Sequence, residues 1–195
     1  MDNSANGAKA LRKENISAIK ELLQAVAEKN VKKMKDVANH VLREVPVTKD
    51  QYSIKISVIS YSLSKIFNKD YYRKDEMRWQ EFVIDLRNNL RSALERPENL
   101  ELVFSDIKRL DESVGRFVSQ VTDKGLSKKA STLYAYGLSL GTAAGLTGTS
   151  KWDVLKEIGQ TKMSDEGGKE MLSLEKRFKL ARQVLGEAGS DRGLL

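Results

Sequence analysis

SKKASTLYAYGLSLGTAAGLTGTSKWDVLKEIGQTK, from Ser127 to Lys162, is the stretch on which the fold reading turns. Between Lys129 and Lys151 it carries no charge, and glycines fall at 137, 141, 145 and 148. Two architectures compete for such a segment: a membrane span with its small residues on one face, or short helices reversed around a turn. A span needs roughly 20 predominantly apolar residues, and the Gly137, Gly141, Gly145 spacing is one that lets membrane helices touch. Composition decides against it. Only four of the uncharged residues are leucine, whereas seven are serine or threonine.

The turn reading accounts for more positions. Ser127 caps a first helix through Tyr136, and Gly137 closes it in the left-handed conformation that glycine tolerates. Ser139 caps a second helix running to Leu146, Thr147-Gly148-Thr149 forms the turn, and Ser150 starts a third helix ending at Gly159. Asp153 suits that third N-terminus, three residues after its cap. The Ala143-Ala144 pair lets the second helix approach the third, and Val154 and Ile158 supply an inward stripe.

Ala143-Ala144-Gly145-Leu146-Thr147-Gly148-Thr149-Ser150 resembles the helix-turn-helix pattern Ala-Ala-x-Leu-x-Gly-x-Ser. The whole segment is similar to the DNA-binding-type segment of small prokaryotic antitoxins. Lys151-Trp152-Asp153-Val154-Leu155 stands where that family begins its last helix with a tryptophan. Thr147 and Thr149 replace residues that are usually aliphatic and buried there, and Gly145 lies inside a helix at a cost of about 1 kcal/mol relative to alanine. The resemblance implies DNA binding by a transcription regulator, together with neutralisation of a protein partner such as a ribonuclease toxin through segments outside the DNA-binding unit. A homodimer is expected because paired half-sites come with paired readers.

The rest of the chain reads as amphipathic helix. From Ala8 to about Val45 apolar residues recur at three and four, with a possible break near Asn30. Pro46 imposes a stop and holds Val45 extended. Thr48 is the expected cap of the next helix, Ser53 to Phe67, which is apolar on most of its circumference and therefore central. Tyr71, Tyr72, Arg73, Lys74, Arg78 and Trp79 interleave rings and cations. That mixture can stack bases or pack on the bundle, and packing is the preferred reading. Trp79, Phe82, Val83, Leu86, Leu90 and Leu94 form a stripe ended by Pro97. A third long helix is expected from Glu98 to Val121 through Leu102, Phe104, Ile107, Leu110, Val114, Phe117 and Val118. Gly125 ends it and marks a seam. After a loop at Met163 to Gly168, Met171 to Leu185 forms a final amphipathic helix.

The fold expected is therefore all-α: a helical bundle over residues 8–124, a helix-turn-helix unit over 125–162, and a loop and helix over 163–186. The tails 1–7 and 187–195 are expected to be disordered. The chain has 195 residues, 40% apolar and 31% charged, the profile of a folded helical protein. It contains no cysteine, which excludes disulfides and thiolate metal sites and fits a reducing, cytoplasmic compartment.

Chemistry narrows the function further. The single histidine, His40, has no evident companion for nucleophile–base work, and Asp106 and Glu112 alternate with basic residues as ordinary surface does. No enzyme activity, metal or cofactor is expected. Thirty-four basic residues against 27 acidic ones give a formal charge of +7, which favours polyanions. The candidate DNA contacts are Ser150, Lys151, Trp152 and Lys156 on the third short helix, where side chains reach the major groove. Ser139 and Thr142 can hold a phosphate at the start of the second, and Lys128, Lys129 and Lys162 add general attraction. Trp152 has a second reading, as an anchor of its helix in the core, and that reading is preferred. Lys151 and Lys156 are balanced by Asp153 and Glu157, so a protein-interaction module that no longer binds DNA stands as the alternative. Its partner surface would be Met171, Leu174, Phe178 and Leu185.

Overall fold

Apolar spacings of three and four become helix throughout the described residues, and no strand occurs among them. The computed structural model describes residues 11–114 and 121–164, with side chains as far as Gly159 in the last helix. The candidate partner residues Met171, Leu174, Phe178 and Leu185, the side chain of Lys162, and Phe117 and Val118 therefore lie outside the described residues.

The first helical stretch divides where expected, into α1 (Lys13–Ala27) and α2 (Val31–Leu42), with the Asn30 side chain accepting from Lys33 N at the break. Pro46 does not act as a stop. It sits in the first turn of a short helix, α3 (Val45–Thr48), where a missing N–H costs nothing because no intrahelical acceptor exists for it. The cap of the next helix is Asp50 and not Thr48: its carboxylate accepts from Tyr52 N and Ser53 N. The Thr48 hydroxyl instead donates to the Glu44 carbonyl.

Helix α4 (Gln51–Phe67) is the hub that its sequence implies. It packs against α1 and α2 and against three later helices: α6 (Leu100–Ser113), α7 (Val121–Ala135) and α8 (Leu140–Thr147). Ile54, Ile56, Val58, Ile59, Leu63 and Ile66 are all buried, on several sides of the helix. Its serines are buried too. Ser57 donates to the Ala38 carbonyl of α2, and Ser53 joins Asn15 and Asp50 in a buried network.

A 3-10 turn at Asp70–Arg73 follows, then α5 (Glu76–Glu95) under an Asp75 cap. The rings here pack. Trp79 meets Phe67 edge-on at 4.9 Å, and buried Tyr72 donates its hydroxyl to Asp111 at 2.6 Å. After a turn at Pro97–Asn99, α6 is shorter than expected, ending at Ser113 and leaving Leu102 exposed. Reading its acids as ordinary surface also fails for Asp106, which is buried with Asn89 and Arg109 donating to it. Burial holds its carboxyl above the usual range against those two donors.

The seam placed at Gly125 falls inside α7. A Cβ there would lie 3.1 Å from the Ser62 hydroxyl and 3.2 Å from a Val58 methyl, so the glycine lets α7 lie close on α4 and does not end a helix. Ser127 is likewise interior, its hydroxyl donating to the Asp123 carbonyl and not capping. The start of α7 is held from the bundle, with Asp111 accepting from Val121 N. The last described helix, α9 (Lys151–Ser164), runs through Gly159 and takes in Met163, so neither the stop nor the start of the loop lies where the sequence suggested. Among the described residues no helix is long and apolar enough to cross a membrane.

Candidate nucleic-acid interface

The three helices α7, α8 and α9 are separated by two glycine reversals. At the end of α7, Gly137 adopts φ 101°, its N–H bonds the Tyr134 carbonyl, and Leu138 N bonds the Leu133 carbonyl. That pair of bonds is a Schellman closure, which needs a residue comfortable at positive φ. Ser139 then caps α8, accepting from Thr142 N at 3.1 Å, and its hydroxyl shares a 2.8 Å bond with that of Thr142. The two hydroxyls thus engage each other. The amides of Leu140 and Gly141, at the first two helical positions, are beyond the reach of intrahelical bonding.

Gly148 makes the second reversal at φ 69°, and Ser150 opens α9. Its hydroxyl accepts from Asp153 N at 3.1 Å and donates to the Asp153 carboxylate at 2.6 Å. The aspartate therefore answers the cap through the hydroxyl. Among the described side chains of this helix, Val154 is the one fully buried, against Ala130 of α7 and Ala144 of α8, with Ile158 half-buried beside it. Small partners on both sides allow the close approach. Thr147, where an aliphatic residue is usual, is buried and satisfied, donating to the Ala143 and Ala144 carbonyls. An added Cβ at Gly145 meets nothing, so nothing in the structure explains that glycine.

With Val154 inward, a rotation of 3.6 residues per turn places Trp152 and Lys156 on the outer face. Lys151, Trp152, Leu155 and Lys156 are all exposed. Trp152 is 81% exposed, which overturns its reading as a core anchor. Val154 is small enough to fit between two alanines, and an indole is not. Lys151 lies on the α8 flank, its chain passing Gly141. Glu157 lies on the opposite flank, paired with Lys128 of α7 at 3.2 Å.

Lys129 does not belong with the solvated lysines. It is 2% exposed, its ammonium donating to the Asn39 side chain at 3.3 Å and sitting 5.0 Å from the centre of the Tyr61 ring. Burial first, and Lys128 second, hold its pKa down to about 8. Its helical position one residue from Lys128 turns it toward α4, so it cannot serve as a surface contact. Two lysines that the sequence reading passed over stand nearby. Lys65 lies 5.1 Å from the same Tyr61 ring, and Lys69 is exposed at the end of α4. The only local signal was the Tyr61, Lys65 spacing of one helical turn.

A depression of about 320 Å3 between α5 and α6 is lined by Arg78, Glu81, Asp85, Asp106 and Arg109. Four of these five charges are already matched, Arg109 to both Asp85 and Asp106 and Arg78 to Asp75. Among the described residues no group of three or more acidic or histidine side chains is placed to hold a metal ion. His40 is exposed in the last turn of α2. No protein-family model matches the chain, and comparisons with curated proteins and with solved structures return no match.

Proposed function

We propose that this chain is a DNA-binding regulatory protein of antitoxin-like type that presents α9 to the major groove of double-stranded DNA. One observation carries the reading. The reversal at Gly148 leaves the first turns of α9 open to solvent, with Lys151, Trp152 and Lys156 exposed and Val154 turned inward. A helix free along its leading edge can enter a groove about 12 Å wide. Lys151 then suits a guanine edge or a phosphate, and a well-placed base contact is worth roughly 1–3 kcal/mol of discrimination. The start of α8 offers the free amides of Leu140 and Gly141 to a phosphate. The antitoxin-like motif adds a protein partner of ribonuclease-toxin type and a homodimer to this proposal.

A mobility-shift titration at several salt concentrations tests it. Specific binding weakens steeply with salt and collapses on Lys151→Glu. A second reading, an interaction module without DNA binding, is favoured by the exposed apolar pair Trp152 and Leu155 on a helix whose charges nearly cancel. Unaltered mobility with both random and native upstream DNA, together with a protein that co-purifies, would replace the first reading by the second.

A further inference from the structure

We infer that Lys65 and Lys69, at the end of α4, are a second phosphodiester-backbone contact on the far side of α9 from α8, an inference that rests on the DNA-binding reading above. Two phosphate strands border a major groove, and a helix lying in it needs support on both flanks. On one flank stands the start of α8, beside Lys151. On the other, Glu157 faces α7, and its charge is met by Lys128. Both members of that pair also act on Tyr61, around which further lysines stand. Lys65 is half-buried with its ammonium 5.1 Å from the ring centre, and buried Lys129 lies 5.0 Å from the same centre. Lys128, Glu157 and Lys69 all act on the Tyr61 hydroxyl electrostatically, and Lys128 reaches α9 through its pair with Glu157.

Lys65 and Lys69 have no carboxylate partner among the described residues, and each rests over a tyrosine ring, Tyr61 and Tyr71 respectively. The nearby Asp70 is taken by Arg73 at 2.7 Å. With Glu157 matched by Lys128, the charges of Lys69, Lys65, Lys128, Glu157 and Lys156 sum to a net positive value, which favours a polyanion. A stem packed on an aromatic face also holds a lysine with little left to lose in ordering, which suits a fixed phosphate contact.

Fluorescence anisotropy with a labelled DNA duplex, repeated over a range of potassium chloride, tests the inference on the full chain. In the Lys65→Gln/Lys69→Gln double variant two phosphate contacts disappear. The slope of log affinity against log salt then flattens by about 2, so the affinity lost between about 50 and 200 mM salt shrinks roughly tenfold. Preference between duplex sequences stays as in the parent, and Lys65→Arg/Lys69→Arg restores the slope. A parental slope in the glutamine variant, with circular dichroism unchanged and Lys151→Glu still abolishing binding, would refute the backbone contact and leave the α9 reading standing. Absence of binding by the parent itself would remove both.

Discussion

Helix α4 buries five serines, at 53, 57, 60, 62 and 64, whereas α9 exposes a tryptophan and a leucine, so side-chain polarity does not set burial in this chain. Neighbours do. Small side chains on α4 let α2 and α7 come close, and Gly125 extends that on the α7 side. The hydroxyls of Ser60 and Ser62 are left buried without partners among the described residues, a desolvation cost of about 1–3 kcal/mol for such a group. That cost is offset by the apolar contacts that α4 makes with several helices at once. Among the described residues, helix α9 packs mainly on α7 and α8, and both offer alanine where they meet it. Among its described side chains one buried valine fastens it, and Trp152 and Leu155 on its outer face are exposed. The difference separates a helix that holds the molecule together from one that the molecule displays.

The largest test of that contrast is Ile59→Ala. Ile59 is fully buried in the central cluster, and truncation there leaves a cavity on a helix touched from several sides. Loss of about 2–5 kcal/mol is expected in chemical denaturation. A loss below about 1 kcal/mol would mean that α4 is not the element on which stability rests.

The next effect has the opposite sign. Lys129 is charged at neutral pH and buried over Tyr61 with a single neutral acceptor, Asn39; the charges nearest it are Lys128 on its own helix, Lys65 across the ring and Glu157 on α9. Its folded pKa of about 8 lies below the ordinary lysine value of 10.5, so the unfolded chain holds the extra proton between those values. Stability therefore rises with pH across that window, and below pH 8 the penalty is constant, on the order of 3 kcal/mol. The Tyr61 hydroxyl, pushed up by burial, titrates above its ordinary range and so largely beyond this window. Lys129→Met keeps the packed stem and removes the charge. It should stabilise the protein at pH 7 by about 1–3 kcal/mol and flatten the rise between pH 8 and 10. Destabilisation at pH 7 would show that the ammonium is better served by Tyr61 and Asn39 than burial alone implies.

Local features were legible where local physics sets them. The Asn30 break, the Ser139 and Ser150 caps and the reversals at Gly137 and Gly148 each depend on a few adjacent residues, and each stands where the sequence put it. So does the central position of α4, because a helix apolar on most of its circumference, with small serines between, is best accommodated at the centre. Features fixed by a distant partner were not legible. Gly125 reads as a terminator until Ser62 and Val58 are seen against it. Lys129 reads as surface until Tyr61 and Asn39 cover it, and Asp106 until Asn89 and Arg109 surround it. Pro46 fits either a stop or a first turn, and the short α3 uses the second. In the candidate site, the helix starts were readable and the direction in which Trp152 points was not. That depends on which of its neighbours on α9 fits between Ala130 and Ala144.

Trp152→Ala is the smallest expected effect on stability and the one that tests the displayed helix most directly. An 81% exposed side chain away from caps and cores changes stability by no more than about 0.5 kcal/mol. The chain has two tryptophans, and the other, Trp79, is buried against Phe67 and Phe82. The variant's emission should consequently shift to shorter wavelength, since only the buried indole remains, while the denaturation midpoint stays put. On the proposed DNA-binding reading, DNA affinity should fall in the same variant, because the indole lies on the face proposed to enter the groove. A midpoint lowered as far as in Ile59→Ala would place Trp152 inside a packed interface, and α9 would then be a second structural helix. An unchanged midpoint with unchanged DNA affinity would leave α9 displayed but deprive the groove reading of its central side chain. Only a neutral midpoint combined with weakened binding keeps the contrast between the two helices and assigns the exposed one to recognition.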